Sequence, residues 1–119
     1  MVEKMTSLTQ GGVYLEKLDP IKSGEIGKIR PVVLLTTSII LEVQPEIIFI
    51  CPLSSQSYSE LAALHVKLPP RDQLKKTSFA LVEHCRSITI KRLHFPRIAQ
   101  LTEEELSLIV LRLQRIIKI

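Results

Sequence analysis

The sequence predicts a mainly-β (α+β) fold, in which a small, strongly bent antiparallel sheet or barrel is followed by a C-terminal α-helix. Short runs of apolar and β-branched residues recur along the chain with turn residues between them, which is typical of strands. The last residues instead repeat their apolar side chains at helical spacing. A chain of 119 residues is long enough for one core. When many short strands and one helix must share a single core, the sheet has to curl around that core.

The predicted strands follow one another with a turn signal after each. A first strand is predicted at 12–18, and the polar loop 19–30 leads into the apolar run 31–37 and then into a second buried strand at 46–54. Further strands are predicted at 64–68, 78–83 and 85–90, with an irregularity near His84, and a short extended segment at 97–101. The alternation in 64–68 places His65 on the outward face, and His94 is also predicted at the surface.

The C-terminal helix has a clear start signal. Thr102 and Glu105 have the spacing of a capping box, and Leu101 can pack against Leu106 as a hydrophobic staple. One apolar stripe is predicted to pack on the sheet: Leu106, Ile109, Val110, Leu113, Ile116 and Ile117.

Domain organisation and compartment follow from composition. We expect residues 1–11 to be a flexible segment and 12–119 to be a single domain. The apolar runs are far shorter than a membrane span, and the N-terminal residues lack the apolar stretch of a secretory signal, so a cytoplasmic protein is expected. Cys51 and Cys85 have no CxxC spacing and are predicted to be buried free thiols. The three histidines share no ligand spacing, so no metal and no cofactor is expected.

Positive charge is concentrated in the middle of the chain. Residues 65–97 hold eight Lys and Arg side chains and two acidic ones, a net charge of +6, whereas the whole chain carries +4. Such a segment suits nucleic acid, but it equally suits an acidic protein partner or a solvated surface. Aromatic residues make up 4% of the chain, so few side chains are present on which nucleic-acid bases could stack.

A candidate site lies where the two central strands meet. In "GEIGKIRPVVLL" (24–35), Pro31 restricts Arg30 to an extended conformation at the start of a strand. The other central strand ends in Ser54, Ser55 and Gln56. If the two strands pair antiparallel, a guanidinium and two hydroxyls face one pocket, which suits a phosphate. The alternative is a solvated arginine and an ordinary hydroxyl-rich turn.

Four segments resemble the MazF/PemK family of toxin endoribonucleases. "GGVYLEKLDP…GEIGKIRPVVLL" resembles the family's opening signature, and "CPLSSQ" resembles its Pro-x-Thr/Ser segment. "FALVEHCRSITIKRL" resembles its Arg-Thr-Ile strand, and "IAQLTEEEL" the entry to its last helix. The four follow one another in the family's order from Gly12 almost to the last residue.

This resemblance implies a Src-homology-3-like barrel of the MazF/CcdB type, acting as a homodimer. It implies metal-independent, sequence-specific cleavage of single-stranded RNA such as mRNA. The partner is then a cognate antitoxin whose acidic C-terminal segment occupies the RNA groove, with DNA contacted only through the antitoxin and no membrane association.

The resemblance also implies roles for particular residues. Arg30 and Ser54 take the catalytic positions, although many members have Thr in place of Ser54. The positions of the family's RNA-contacting surface fall on Glu25, Lys28, Ser55, Gln56, Glu83, His84 and Arg86. His84 is interpreted as a substrate contact or strand filler rather than as the general base.

The chemistry fits these residue types. RNA breaks when its 2′-hydroxyl attacks the adjacent phosphorus, and the enzyme must neutralise charge on the phosphorane. The guanidinium of Arg30 can bridge two phosphate oxygens, but it stays protonated and is therefore a poor general base. Two other functions remain open: a non-enzymatic, protein-binding toxin like CcdB, and an inactive relative or small interaction module.

Overall fold

Seven strands and a long C-terminal helix make up the described part of the chain. The structure, a computed structural model, describes residues 8–18, 28–57 and 60–118. In chain order the elements are β1 (Gly12–Lys17), β2 (Ile29–Leu34), α1 (Ser38–Leu41), β3 (Ile47–Ser54), β4 (Val66–Leu68), β5 (Ser78–Ala80), β6 (Arg86–Thr89), β7 (Leu93–Gln100) and α2 (Glu103–Ile117). Turns of 3₁₀ helix lie at Ala62–Leu64, Val82–His84 and Ile90–Arg92.

The sheet is antiparallel throughout its described pairs. Its strand order is β4-β5-β3-β2-β1-β7, and β6 pairs with β3. β3 therefore has β2 on one side and both β6 and β5 on the other. This architecture, a curled antiparallel sheet with a C-terminal helix, confirms the predicted fold class.

The predicted irregularity near His84 is a 3₁₀ turn between two different registers. β6 pairs with β3 up to Ile50↔Arg86, whereas β5 pairs with β3 from Leu53↔Ala80. The turn Val82–His84 takes up the residues between these two ladders. The phase change in the sequence therefore marks a real interruption in the strand that flanks β3.

Two core clusters lie on opposite faces of the central strands, because successive side chains of a strand alternate. One cluster packs under α2 and includes Val33, Leu35, Cys51, Leu53 and Ile109. The other includes Tyr14, Val32, Leu34, Ile48, Ile50 and Ile88. Residues 32–36 and 48–53 are thus buried or half-buried on both faces, as their apolar sequence indicated. Thr37, Glu46 and Ile47, at the ends of the predicted strands, are exposed.

The start of α2 is confirmed, but its apolar stripe is narrower than predicted. The side chain of Thr102 accepts a hydrogen bond from the backbone N–H of Glu105 at 3.1 Å. The side chain of Glu105 accepts one from the backbone N–H of Thr102 at 2.9 Å. Ile109 is fully buried, with Leu106, Leu108 and Leu113 packed beside it. The prediction was wrong for three residues that are at least 38% exposed: Val110, Ile116 and Ile117. Val110 points about 100° around the helix from Ile109, and the other two lie in the last turn.

Several boundaries differ from the predicted ones. Leu8 is buried, and the backbone N–H of Gly11 donates to the carbonyl of Leu34 at 2.7 Å, so residues 8–11 belong to the fold rather than to a flexible segment. The short helix α1 was not predicted, β4 is limited to three residues, and β7 begins at Leu93 rather than at 97. Within the described ranges, no helix is long and apolar enough to cross a membrane.

Candidate active site

Arg30 and Ser54 lie at the same end of the two central strands. β2 and β3 pair antiparallel with the register Val32↔Pro52, which confirms the pairing on which the predicted site depended. The pairing ends at Val32↔Pro52, so Arg30 and Ser54 each lie two residues beyond the last pair, at the same end of the two strands. Both residues are half-buried, so each is fixed at the strand end and still reaches solvent.

Ser54 also begins a tight turn. Its Oγ accepts a hydrogen bond from the backbone N–H of Gln56 at 3.1 Å. A hydroxyl has one proton to donate and two lone pairs, so this bond leaves the Ser54 proton available for another acceptor. Ser55 and Gln56 are exposed. The turn interpretation and the site interpretation of this segment are therefore compatible.

A cavity of about 340 Å³ adjoins this strand end. Pro31, Leu53, Ser54 and Ser55 form one wall of it, and its other residues are Gln73, Leu74, Lys75, Lys76 and Ser78. Both lysines are exposed. The sequence showed the two lysines as part of a basic segment, but not that the turn carrying them folds back against Ser54. The cavity therefore combines hydroxyl donors with two cations, a set that suits an anionic ligand. Arg30 and Gln56, which were predicted to face the same pocket, are not among its lining residues.

Glu16 is a buried carboxylate beside Arg30 that sequence reasoning missed. It is 1% exposed and lies opposite Arg30 in the β1–β2 ladder. Arg86 Nη2 donates to both of its carboxylate oxygens, at 2.6 Å each. A buried charge must be paired, so this contact fixes the position of Arg86. The sequence did contain one indication of this burial. Glu16 is two residues from Tyr14, so both side chains point to the same face of β1, and Tyr14 is fully buried.

Glu83 is held inside the protein by His65. Oε1 and Oε2 of Glu83 lie 2.9 and 2.8 Å from Nε2 of His65, whose Nδ1 lies 2.6 Å from Oγ of Ser57. Burial raises the pKa of Glu83, but the hydrogen bond from His65 and a backbone hydrogen bond outweigh it, so the net pKa is lowered. The prediction that His65 lies at the surface was wrong, since it is 9% exposed. The chain Ser57–His65–Glu83 joins the turn after β3 to the turn before β6.

The remaining residues predicted to contact RNA differ in how exposed they are and in whether they form ion pairs. Lys28 is exposed just before β2, and the side chain of His84 is 61% exposed, with Nε2 3.8 Å from Glu83. Glu25 lies outside the described residues. Among the described candidates, Lys28, Ser55, Gln56 and His84 face solvent, whereas Glu83 and Arg86 are engaged in ion pairs.

The His, Cys, Asp and Glu side chains that the structure describes form no recognisable metal site. Across 8–18, 28–57 and 60–118, no group of three or more His, Cys, Asp or Glu residues is placed to hold a metal ion. Cys51 and Cys85 are free thiols, the first buried and the second half-buried.

Comparison with known families identifies the family to which the chain belongs. The family model of PemK-like, MazF-like toxins of type II toxin–antitoxin systems matches residues 9–117. The chain belongs to this PemK/MazF toxin family. The match includes β2, β3 and the strand end that carries Arg30 and Ser54. A search of the curated proteins found no match to this chain.

Solved structures of PemK/MazF toxins share the fold. MazF in a MazE–MazF crystal structure (Form-II) from Deinococcus radiodurans is 20% identical, with a TM-score of 0.76 over 93% of this chain and 96% of that one. The Mycobacterium tuberculosis toxin MazF-mt6 is 16% identical, with a TM-score of 0.70 over 91% and 97%. An endoribonuclease in complex with its cognate antitoxin from Mycobacterial species is 12% identical, with a TM-score of 0.63 over 93% of each chain.

Proposed function

We propose that this PemK/MazF toxin is a metal-independent endoribonuclease that cuts single-stranded RNA, such as mRNA, at specific sequences. The observation that carries the proposal is the position of Arg30 and Ser54 at the same end of the β2–β3 pair, where both are half-buried. A similar fold is described as an endoribonuclease in the mycobacterial complex. A toxin that acts by protein binding alone has no need of a guanidinium and a hydroxyl at this point.

In the proposed reaction the 2′-hydroxyl of the RNA attacks the adjacent phosphorus and loses its proton to water. The bond from phosphorus to the 5′-oxygen breaks, the 5′-oxygen takes a proton from water, and a 2′,3′-cyclic phosphate remains. Arg30 donates to two non-bridging oxygens and compensates the charge that develops on the phosphorane. Ser54 donates a hydrogen bond from its hydroxyl group to one of these oxygens. The half-buried position of both side chains strengthens these interactions, because water screens them less than at a free surface.

The neighbouring cations and polar groups bind the rest of the RNA in this proposal. Lys75 and Lys76 line the cavity next to Ser54, and Lys28 is exposed just before β2. Lysines of this kind neutralise phosphates and make binding dependent on salt. Ser55, Gln56 and His84 are exposed and available for base contacts, while Glu25, Glu83 and Arg86 complete the RNA-contacting set.

The proposed partners are a second copy of the chain and a cognate antitoxin in the cytoplasm. The Deinococcus MazF structure is a complex with MazE, which supports an antitoxin partner here. An acidic C-terminal segment of the antitoxin would occupy the same basic surface as RNA and block cleavage. A homodimer is supported by exposed apolar side chains on α1, just after it and on α2, including Ile39, Val43 and Leu111.

The decisive experiment incubates the purified protein with a long mixed-sequence RNA in EDTA. We expect discrete fragments from the wild type, a loss of at least about 100-fold for Arg30→Ala, and a loss of about 100-fold for Ser54→Ala. Arg115→Ala is the matched control, because Arg115 is exposed on α2. The cut positions also give the recognised sequence.

Two outcomes would contradict the proposal. Intact RNA from a folded wild-type protein, over a range of substrates, would favour a protein-binding toxin like CcdB or an inactive antitoxin-binding relative. Equal cutting by the wild type and Arg30→Ala would show that Arg30 is not catalytic or that a contaminant cuts the RNA.

A further inference from the structure

Cys51 and Cys85 face each other where the strand flanking β3 is interrupted. β6 pairs with β3 up to Ile50↔Arg86, so Cys85 and Cys51 are the residues that come directly after this last pair on the two segments. Their thiols are close enough to interact through a side-chain hydrogen bond. A disulfide needs Cβ atoms about 3.5–4.5 Å apart, so Cys85 has only a short distance to move toward β3.

The surroundings permit this movement. Cys85 packs against the core cluster to which Cys51 belongs, so both side chains lie on the same face of the sheet. The backbone N–H of Cys85 donates to the carbonyl of Val82 at 3.2 Å, within its own turn. Cys85 can therefore approach β3 without giving up this backbone hydrogen bond.

The two thiols differ in acidity and access. Interaction with the Cys85 thiol is the main cause that raises the pKa of Cys51, and burial raises it further. The same interaction lowers the pKa of Cys85, against the opposing effects of burial and of Glu83. Cys85 is half-buried, whereas Cys51 is fully buried. A small oxidant therefore reaches the more acidic thiol first, since the thiolate is the reactive form.

We propose that Cys51 and Cys85 are a peroxide-sensitive pair that forms a reversible disulfide between β3 and the segment leading into β6. The link would tie the segment carrying Glu83 and Arg86 to the strand that ends at Ser54. Disulfides of this kind in reducing compartments are transient and redox-sensing rather than structural.

The reaction is balanced with hydrogen peroxide as the oxidant. The Cys85 thiolate attacks one peroxide oxygen, the O–O bond breaks, and Cys85 becomes a sulfenic acid as the first water leaves. The sulfur of Cys51 then attacks the Cys85 sulfur, the S–O bond breaks, and the departing hydroxide takes the Cys51 proton as the second water. Two thiols are oxidised by two electrons, and one peroxide is reduced to two waters.

The test uses the full chain, fully reduced and folded, treated with dilute hydrogen peroxide. Remaining thiols are blocked, and the protein is digested with trypsin without reduction. We expect peptide 29–67, which carries Cys51, to be linked to peptide 77–86, which carries Cys85. The intact protein should lose the mass of two hydrogen atoms, at a rate independent of protein concentration, and dithiothreitol should restore it.

The peptide map is made on the wild-type protein. It therefore avoids replacing Cys51, which is fully buried and whose substitution would disturb the core. Cys85→Ser is the control, and it should abolish both the mass loss and the linked peptide. Conversion of Cys85 to a sulfinic acid with Cys51 left unmodified would overturn the proposal, as would a disulfide between two protein molecules. Because the test measures mass, its outcome does not depend on whether the protein cuts RNA.

Discussion

Arg86 on β6 contacts Glu16 on β1 although β3 and β2 lie between these strands in the sheet. Neighbouring strands are about 4.8 Å apart, so β1 and β6 would lie about 14 Å apart in a flat sheet. Hydrogen bonds of 2.6 Å from one guanidinium nitrogen to both carboxylate oxygens therefore require the sheet to curl around this pair. The ion pair links the two sides of the concave face next to Arg30.

Removing the partner of Glu16 should destabilise the protein strongly. We expect Arg86→Met to lower the free energy of unfolding by about 3 kcal/mol, because it leaves a buried carboxylate unpaired. Urea denaturation of the purified variant measures this loss. Glu16→Gln combined with Arg86→Met should recover part of it, and a change below about 0.5 kcal/mol in the single variant would show that the pair contributes little.

The ion pair between Arg71 and Glu105 should make stability depend on pH. Arg71 Nη2 donates to Glu105 at 2.6 Å, and this bond is the main reason that the pKa of Glu105 is lowered. A lowered folded pKa stabilises the protein above the unfolded value of about 4.3, and this contribution is lost as pH falls through the folded value. Glu105→Gln keeps a capping-box side chain but loses the ion pair. The stability difference between the wild type and Glu105→Gln should therefore be constant above about pH 5.5 and shrink below about pH 4. A difference that persists in acid would contradict this account.

Replacement of His65 should cost far more stability than replacement of an exposed histidine. His65→Ala leaves Glu83 and Ser57 without the contacts described above, and we expect a loss of about 1–3 kcal/mol. His94 is exposed, so His94→Ala should change stability by less than about 0.5 kcal/mol. Thermal unfolding of both variants at pH 7.5 makes the comparison, and equal shifts would mean that the buried network contributes little.

Two isoleucines of α2 provide a matched test of its packing. Ile109 is fully buried, and Ile109→Ala should lower the free energy of unfolding by about 2–5 kcal/mol. Ile117 is 74% exposed, and Ile117→Ala should change it by less than about 0.5 kcal/mol. Urea titrations at low protein concentration measure both values. A large effect of Ile117→Ala that grows with protein concentration would assign this side chain to a dimer interface.

Arginine at position 30 should not be replaceable by lysine. Arg30→Lys keeps the charge but loses the planar fork that contacts two phosphate oxygens. We expect the rate of RNA cleavage to fall at least about tenfold while the circular dichroism spectrum is unchanged. Wild-type rates from Arg30→Lys would show that a single positive charge is sufficient at this point.

The parts of the fold that the sequence predicted are those controlled by local chemistry. The apolar runs around Val33 and Ile50 specified buried strands, and Thr102 with Glu105 specified the start of α2. The predicted site depended on antiparallel pairing of the two central strands, and the structure has this pairing, with Arg30 and Ser54 at the same strand end.

The start of β7 was missed because Pro96 weakens the strand pattern of 93–96. These residues nevertheless belong to β7, which lies at one end of the strand order. An edge strand tolerates a proline that a central strand rejects.

What the sequence did not predict depends on contacts between distant segments. Glu16 is buried because Arg86 approaches it across the curled sheet, and no local pattern around Glu16 reports that contact. His65 is buried because Glu83 and Ser57 satisfy both ring nitrogens, whereas strand alternation alone placed it outward. Lys75 and Lys76 lie beside Ser54 only through the fold of the turn that carries them.

The pairing of β1 with β7 has a consequence for synthesis of the chain on the ribosome. β1 is made well before its partner β7, which ends at Gln100, and α2 follows β7. A nascent chain can therefore complete neither the sheet nor the helix-covered core until β7 and α2 have left the exit tunnel. A fragment that ends before β7 leaves one edge of β1 unpaired, so we expect it to be a target for proteases.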